Sequence, residues 1–98
     1  VHYLDYFYLG ISYMELEKYD QAIETFDLSL KEFDQFSDAL YYKGVCFLQK
    51  GDVTNAKHFM NLAQTYFKTG NSFNEDASLY EKLPYQVNWN MAQHMIPH

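Results

Sequence analysis

Four histidines, one cysteine and thirteen carboxylates are the side chains of this 98-residue sequence best suited to chemistry. His94 and His98 stand four residues apart, a spacing at which two imidazoles can share one metal ion. Pro97 lies between them at a position where chains fray, so no metal site is expected there. His2 and His58 have no acidic or cysteine partner at a suggestive spacing. A lone cysteine excludes an internal disulfide framework and a cysteine zinc site. Cys46 falls among apolar residues at helical spacing, which reads as a small core side chain rather than a nucleophile. The carboxylates are spread at solvent-facing spacings. There is no Gly-rich phosphate loop, no nucleophile elbow and no paired His–Glu zinc motif. The expectation is a non-catalytic chain with no cofactor and no metal.

Composition bounds the elements that could position such groups. The length suits one domain. Hydrophobic residues make up 48%, too many for a disordered chain. No run of eighteen apolar residues is present, and no leader-like succession opens the chain, so a cytoplasmic protein without membrane insertion is expected. The first residue is Val1, which reads as a processed form or a fragment, with further repeats upstream left open. Seven lysines, no arginine and thirteen acids give a net charge of −6, which argues against nucleic acid and anionic membrane surfaces as partners. The scarcity of arginine beside abundant tyrosine, asparagine and lysine suggests an AT-rich bacterial genome.

The strongest signal is an internal repeat at a shift of 34 residues. Gly10 maps onto Gly44 and Ala22 onto Ala56. Tyr6, Tyr13, Phe26 and Phe33 map onto Leu40, Phe47, Met60 and Phe67. The repeats span about 3–36 and 37–70. Each splits into two helices by apolar periodicity, with breaks at Glu17-Lys18-Tyr19 and Lys50-Gly51-Asp52. Gly51 suits the left-handed residue that closes a helix, and Asp52 suits the cap of the next. Glu17 replaces that glycine in the first copy, at a cost of about 1 kcal/mol. A glycine repeated inside a helix, where it costs about 1 kcal/mol, implies close approach of a neighbouring helix. Phe26 and Met60 are expected to fill the remaining gap.

The 34-residue period, Leu9-Gly10, Tyr13, Tyr19, Ala22 and Phe26 closely resemble the tetratricopeptide repeat, as do Gly44, Phe47, Gly51, Ala56 and Ala63 in the second copy. Tyr6 and Leu40 depart from the family's tryptophan, Lys43 from a leucine and Ser29 from an alanine. Asp34 and Lys68 stand where the family has proline, so the second helices are expected to run on by a turn. The resemblance implies an all-α fold, a right-handed superhelix of antiparallel helix pairs whose concave groove is lined by first helices. It places Leu4, Phe7, Ile11, Met14 and Glu15 in that groove, then Asp38, Tyr41, Val45, Leu48 and Gln49. The family's carboxylate clamp needs lysine and asparagine where Phe7, Ile11, Tyr41 and Val45 stand, so that ligand mode is excluded. The apolar groove of Leu4, Phe7, Ile11, Met14, Tyr41, Val45 and Leu48 is expected to take a hydrophobic protein segment. The alternative is self-burial, by the tail or by a second copy, because two repeats rarely suffice for stability.

Residues 71–98 leave the period and belong to the same domain as 1–70. Ser72-x-x-Glu75 reads as a capping box for a helix over 75–82, which Pro84 would end. From Tyr85 to Ile96, Val87, Met91 and Met95 form one stripe and Trp89, Ala92 and Ile96 another, which reads as a capping helix or a partner-binding arm. Charge is uneven: eight acids and two lysines over 3–36 give −6, while two acids and four lysines over 37–70 give +2. That reads as a solvated face or as a lure for a basic partner, and steep slowing of association by salt would mark the lure. The function expected is an interaction module binding a protein or peptide segment. The alternatives are a small acidic guard protein, of the secretion-chaperone or toxin-immunity type, and a structural homodimer.

Overall fold

A computed structural model describes residues 2–69, 87 and 89–97, and every regular element among them is an α-helix. The helices are α1 (Tyr3–Glu15), α2 (Tyr19–Glu32), α3 (Ser37–Gln49), α4 (Val53–Lys68) and α5 (Trp89–Met95). The helix expected over 75–82, together with Tyr85 and His98, lies outside the described residues.

The helix ends follow from local chemistry. His2 Nδ1 accepts from the Leu4 N–H at 3.1 Å while the Asp5 carboxylate accepts from the His2 N–H at 3.1 Å. The imidazole and the Asp5 carboxylate thus each take one backbone N–H, a capping box that makes His2 the cap of α1. The two breaks adopt the same Schellman geometry. Lys18 N–H donates to the Tyr13 carbonyl and Glu17 N–H to that of Met14, as Asp52 N–H does to Phe47 and Gly51 N–H to Leu48. The left-handed residue is Gly51 in the second turn, at φ 86°, and Glu17 in the first, at φ 59°. Asp52 caps α4 by accepting from the Asn55 N–H at 3.1 Å, whereas Lys18 provides no side-chain cap for α2.

The expected extra turn is absent from α2. Phe33 leaves the helix at φ −145°, which lays its ring on Phe36 at 5.5 Å with the planes 5° apart. That aromatic contact ends the helix where the family uses proline. α4 runs to Lys68.

α1 packs on α2 and α3 on α4, and α3 also packs on α2. The two glycines are the contact points. A Cβ on Gly10 would lie 2.6 Å from the Phe26 ring, and one on Gly44 would overlap the Met60 side chain and stand 3.1 Å from the Ala56 carbonyl oxygen. One core cluster contains Phe7, Ile11, Ala22, Phe26, Phe36, Ala39 and Cys46. Ser29, standing for the family's alanine, is buried and donates to the Tyr3 carbonyl at 2.8 Å, tying the end of α2 to the first turn of α1.

Ion pairs account for part of the uneven charge. Lys43 on α3 meets Asp27 on α2 at 2.6 Å, and Lys50 at the end of α3 pairs with Asp20. Lys43 also lies over the Phe59 ring, 4.0 Å from its centroid. The residue that replaces the family's leucine thus keeps its stem packed while its ammonium bridges the repeats.

Candidate functional site

The seven residues expected to line one groove divide by repeat. Phe7 and Ile11 are core residues, 0% and 2% exposed, and cannot present a surface to a ligand. Phe7 is enclosed by Phe26, Phe36 and Tyr42 at ring distances of 6.0, 5.2 and 5.8 Å. Leu4 and Met14 are half-buried against the same cluster. The three positions of the second repeat, Tyr41, Val45 and Leu48, instead share a cleft of about 340 Å³. Gln49 and Tyr42 extend its α3 wall, and Met60 of α4 also lines it. The opposite wall is the C-terminal segment, through Val87, Met91, Ala92 and Met95.

That segment shows which of its two stripes is structural. Trp89, Ala92 and Ile96 are buried, and so is Val87, while Met91 and Met95 are 65% and 60% exposed. Asp38, a groove position at the start of α3, is fully buried and accepts from the Val87 N–H at 3.1 Å and from Ser37 Oγ at 3.3 Å. The N-terminus of a helix is a favourable place for such a carboxylate. Val87 and α5 therefore pack against the second repeat beside the cleft, which they wall rather than fill.

Its seat repeats an earlier one. Phe33 stacks on Phe36, and Phe67, one period later, stacks on Trp89 at 4.7 Å and 13°. Phe7 meets Phe36 at 5.2 Å, and Tyr41, one period later, meets Trp89 edge-on at 5.6 Å. Three residues beyond each anchor stands a buried alanine, Ala39 and Ala92. Trp89 thus meets rings of the second repeat much as Phe36 meets those of the first, although α5 lacks the close backbone packing on the described helices that α3 makes on α2, and 53 residues rather than 34 separate Trp89 from Phe36. A 34-residue period does not reach Trp89 for that reason. The aromatic-x-x-alanine pattern was the signal that could have found it.

Three titratable side chains hold their protons more tightly than usual. Burial pushes the Cys46 thiol up to about 12, which keeps it protonated and unreactive. Burial also raises the Tyr41 phenol, and burial together with the Asp38 charge raises that of Tyr8. No group of three or more metal-ligating side chains gathers among the described residues. No helix among them is long and apolar enough to cross a membrane.

No curated protein and no solved structure matches the chain significantly. A sequence model of the tetratricopeptide repeat does match, at residues 6–35 and again at 38–67, together more than half of the chain and in register with the two helix pairs. The chain belongs to the tetratricopeptide repeat family, whose members are generally protein–protein interaction modules.

Proposed function

We infer that this protein is a non-catalytic interaction module that binds an apolar protein segment through the groove of its second repeat. The observation that carries this reading is the cleft of about 340 Å³ between α3 and α5, with Tyr41, Val45 and Leu48 on one side and Met91 and Met95 on the other. Apolar walls with a few polar groups at the rim suit large hydrophobic side chains of a partner. Exposed methionines adapt to differently shaped apolar groups. The first-repeat half of the expected groove contributes support rather than contact, because Phe7 and Ile11 hold α1 against α2 and α3.

The acidic-guard alternative has less support. Asp20 and Asp27, two of the acids that make the first repeat negative, already face Lys50 and Lys43 of the same chain.

Selection of peptides from a random displayed library, run in parallel on the protein and on V45E, tests the reading. Val45 is half-buried in the cleft wall, so a carboxylate there should abolish recovery of apolar segments while far-ultraviolet circular dichroism stays unchanged. Equal recovery by the variant would place binding elsewhere.

A further inference from the structure

We propose that α5 is a replaceable cap, and that its seat on the second repeat receives a partner helix opening with an aromatic residue followed three positions later by alanine. The inference deepens the interaction-module reading, since it names a class of partner for the same repeat.

The aromatic-x-x-alanine spacing occurs three times in the sequence, at Tyr19–Ala22, Phe36–Ala39 and Trp89–Ala92, and in the last two the aromatic ring lies against rings of the preceding repeat. Phe36 and Ala39 open α3 against the first repeat, and Trp89 and Ala92 open α5 against the second. The aromatic ring lies between a stacking phenylalanine and a second ring of the preceding repeat, tilted in the case of Phe7 and edge-on in the case of Tyr41. Ala92 is buried in a cluster with Leu40, Ala63, Val87 and Trp89, where a leucine side chain would need added space. The N-terminus of another copy does not fit, because Tyr6 stands three residues after Tyr3.

The resident segment fits less well than its counterpart. Among the described residues the buried Trp89 indole N–H has no acceptor, a cost of the size of a lost hydrogen bond that phenylalanine at the same place would not carry. α5 is a helix of 7 residues, far below the length that holds its own structure in water. Trp89 is also the sole tryptophan of the chain, so its emission reports whether the seat is occupied by the resident cap.

The test titrates the intact protein with a synthetic peptide of residues 87–97 carrying Trp89→Phe, which makes the probe open with Phe-x-x-Ala. The expected result is a saturable red shift of Trp89 emission, a complex of one peptide with one chain by light scattering, and at least tenfold weaker action of the same peptide with Ala92→Leu. Emission unmoved at high peptide concentration would overturn the proposal, and so would equal action of the leucine peptide. A chain that is dimeric before any peptide is added, with Trp89 buried, would also overturn it by making a second copy the occupant. V45E separates the two readings. If it loses cleft-selected peptides yet still releases Trp89 to the probe, both stand. If selected peptides bind the wild type through Val45 while the probe leaves Trp89 unmoved, the replaceable cap alone fails.

Discussion

The two repeats share a 34-residue frame but close it differently. The first is sealed by continuous chain: Phe36 lies between Tyr3, Phe7 and Phe33 and passes directly into α3. The second is sealed by a segment that returns after an interval of sequence, and it retains a cleft beside the seal. The same contacts made by an adjoining helix give a rigid core, and made by a detached short helix give an accessible face. The first copy is thereby closed around its rings, and the cleft lies in the second.

The sharpest way to break this comparison is to remove the two anchors. Phe36→Ala should cost about 4 kcal/mol, as for large aromatic truncations in a core. Trp89→Ala should cost only about 1–2 kcal/mol, because it frees a short helix and relieves a stranded N–H. Urea denaturation followed by circular dichroism reads both, and equal losses would mean that α5 belongs to the rigid core.

The glycines come next. Gly10→Ala drives a methyl against the Phe26 ring, which Phe7 and Tyr42 hold in place, and should cost about 2 kcal/mol. Gly44→Ala should cost less, about 1 kcal/mol, because the obstructing Met60 side chain can change rotamer while the nearby Ala56 carbonyl yields slightly. Thermal melts of the two variants give the order.

The turns can be made alike in either direction. Glu17→Gly should stabilise by about 1 kcal/mol and Gly51→Glu should cost about the same. Lys18→Asp should add a cap worth about 1 kcal/mol, matching what Asp52→Ala removes. If Glu17→Gly gains nothing, the left-handed residue of the first turn is not a source of strain.

Titration sharpens the contrast further. The Cys46, Tyr8 and Tyr41 protons are held in the folded state at pH values where the unfolded chain releases them. Their contribution is complete below the ordinary thiol value of 9.0 and is lost as pH rises toward about 12. Denaturation midpoints should therefore fall as pH rises above 9.0, and alkylation of Cys46 in the folded protein should be far slower than in urea. At the acid end, hydrogen bonds from Asn55 hold the Asp52 carboxyl below its ordinary 3.8. The α4 cap is intact above that value and is lost as pH falls through the depressed one, a loss that the uncapped α2 cannot show.

The smallest effects belong to the links between repeats. Lys50→Ala should change stability by less than about 0.5 kcal/mol, since the pair with Asp20 is exposed. Lys43→Ala should cost about 1 kcal/mol, with part of that loss insensitive to salt because the stem packs on Phe59.

Much of this was legible in the residues. Gly10 and Gly44 announced close helix contacts because glycine inside a helix needs a reason. Gly51 and Asp52 announced a turn and a cap because few other residues suit those backbone positions. The departures from the family pattern were visible as departures, but their roles were not. Neither the Phe59 and Asp27 partners of Lys43 nor the Tyr3 carbonyl bound by Ser29 follows from sequence spacing alone.

The sequence by itself determined the four helices of the two repeats, their pairing and the family, because period, small residues and caps are local properties repeated along the chain. Only the tertiary structure decided which groove positions face a cleft. Phe7 and Tyr41 are equivalent in the repeat, yet one is enclosed by the rings of Phe26, Phe36 and Tyr42 and the other borders open space. It also decided that the Trp89 stripe, not the methionine stripe, is the buried face of the tail. Burial at such positions depends on which distant segment arrives, and periodicity within a helix carries no record of that.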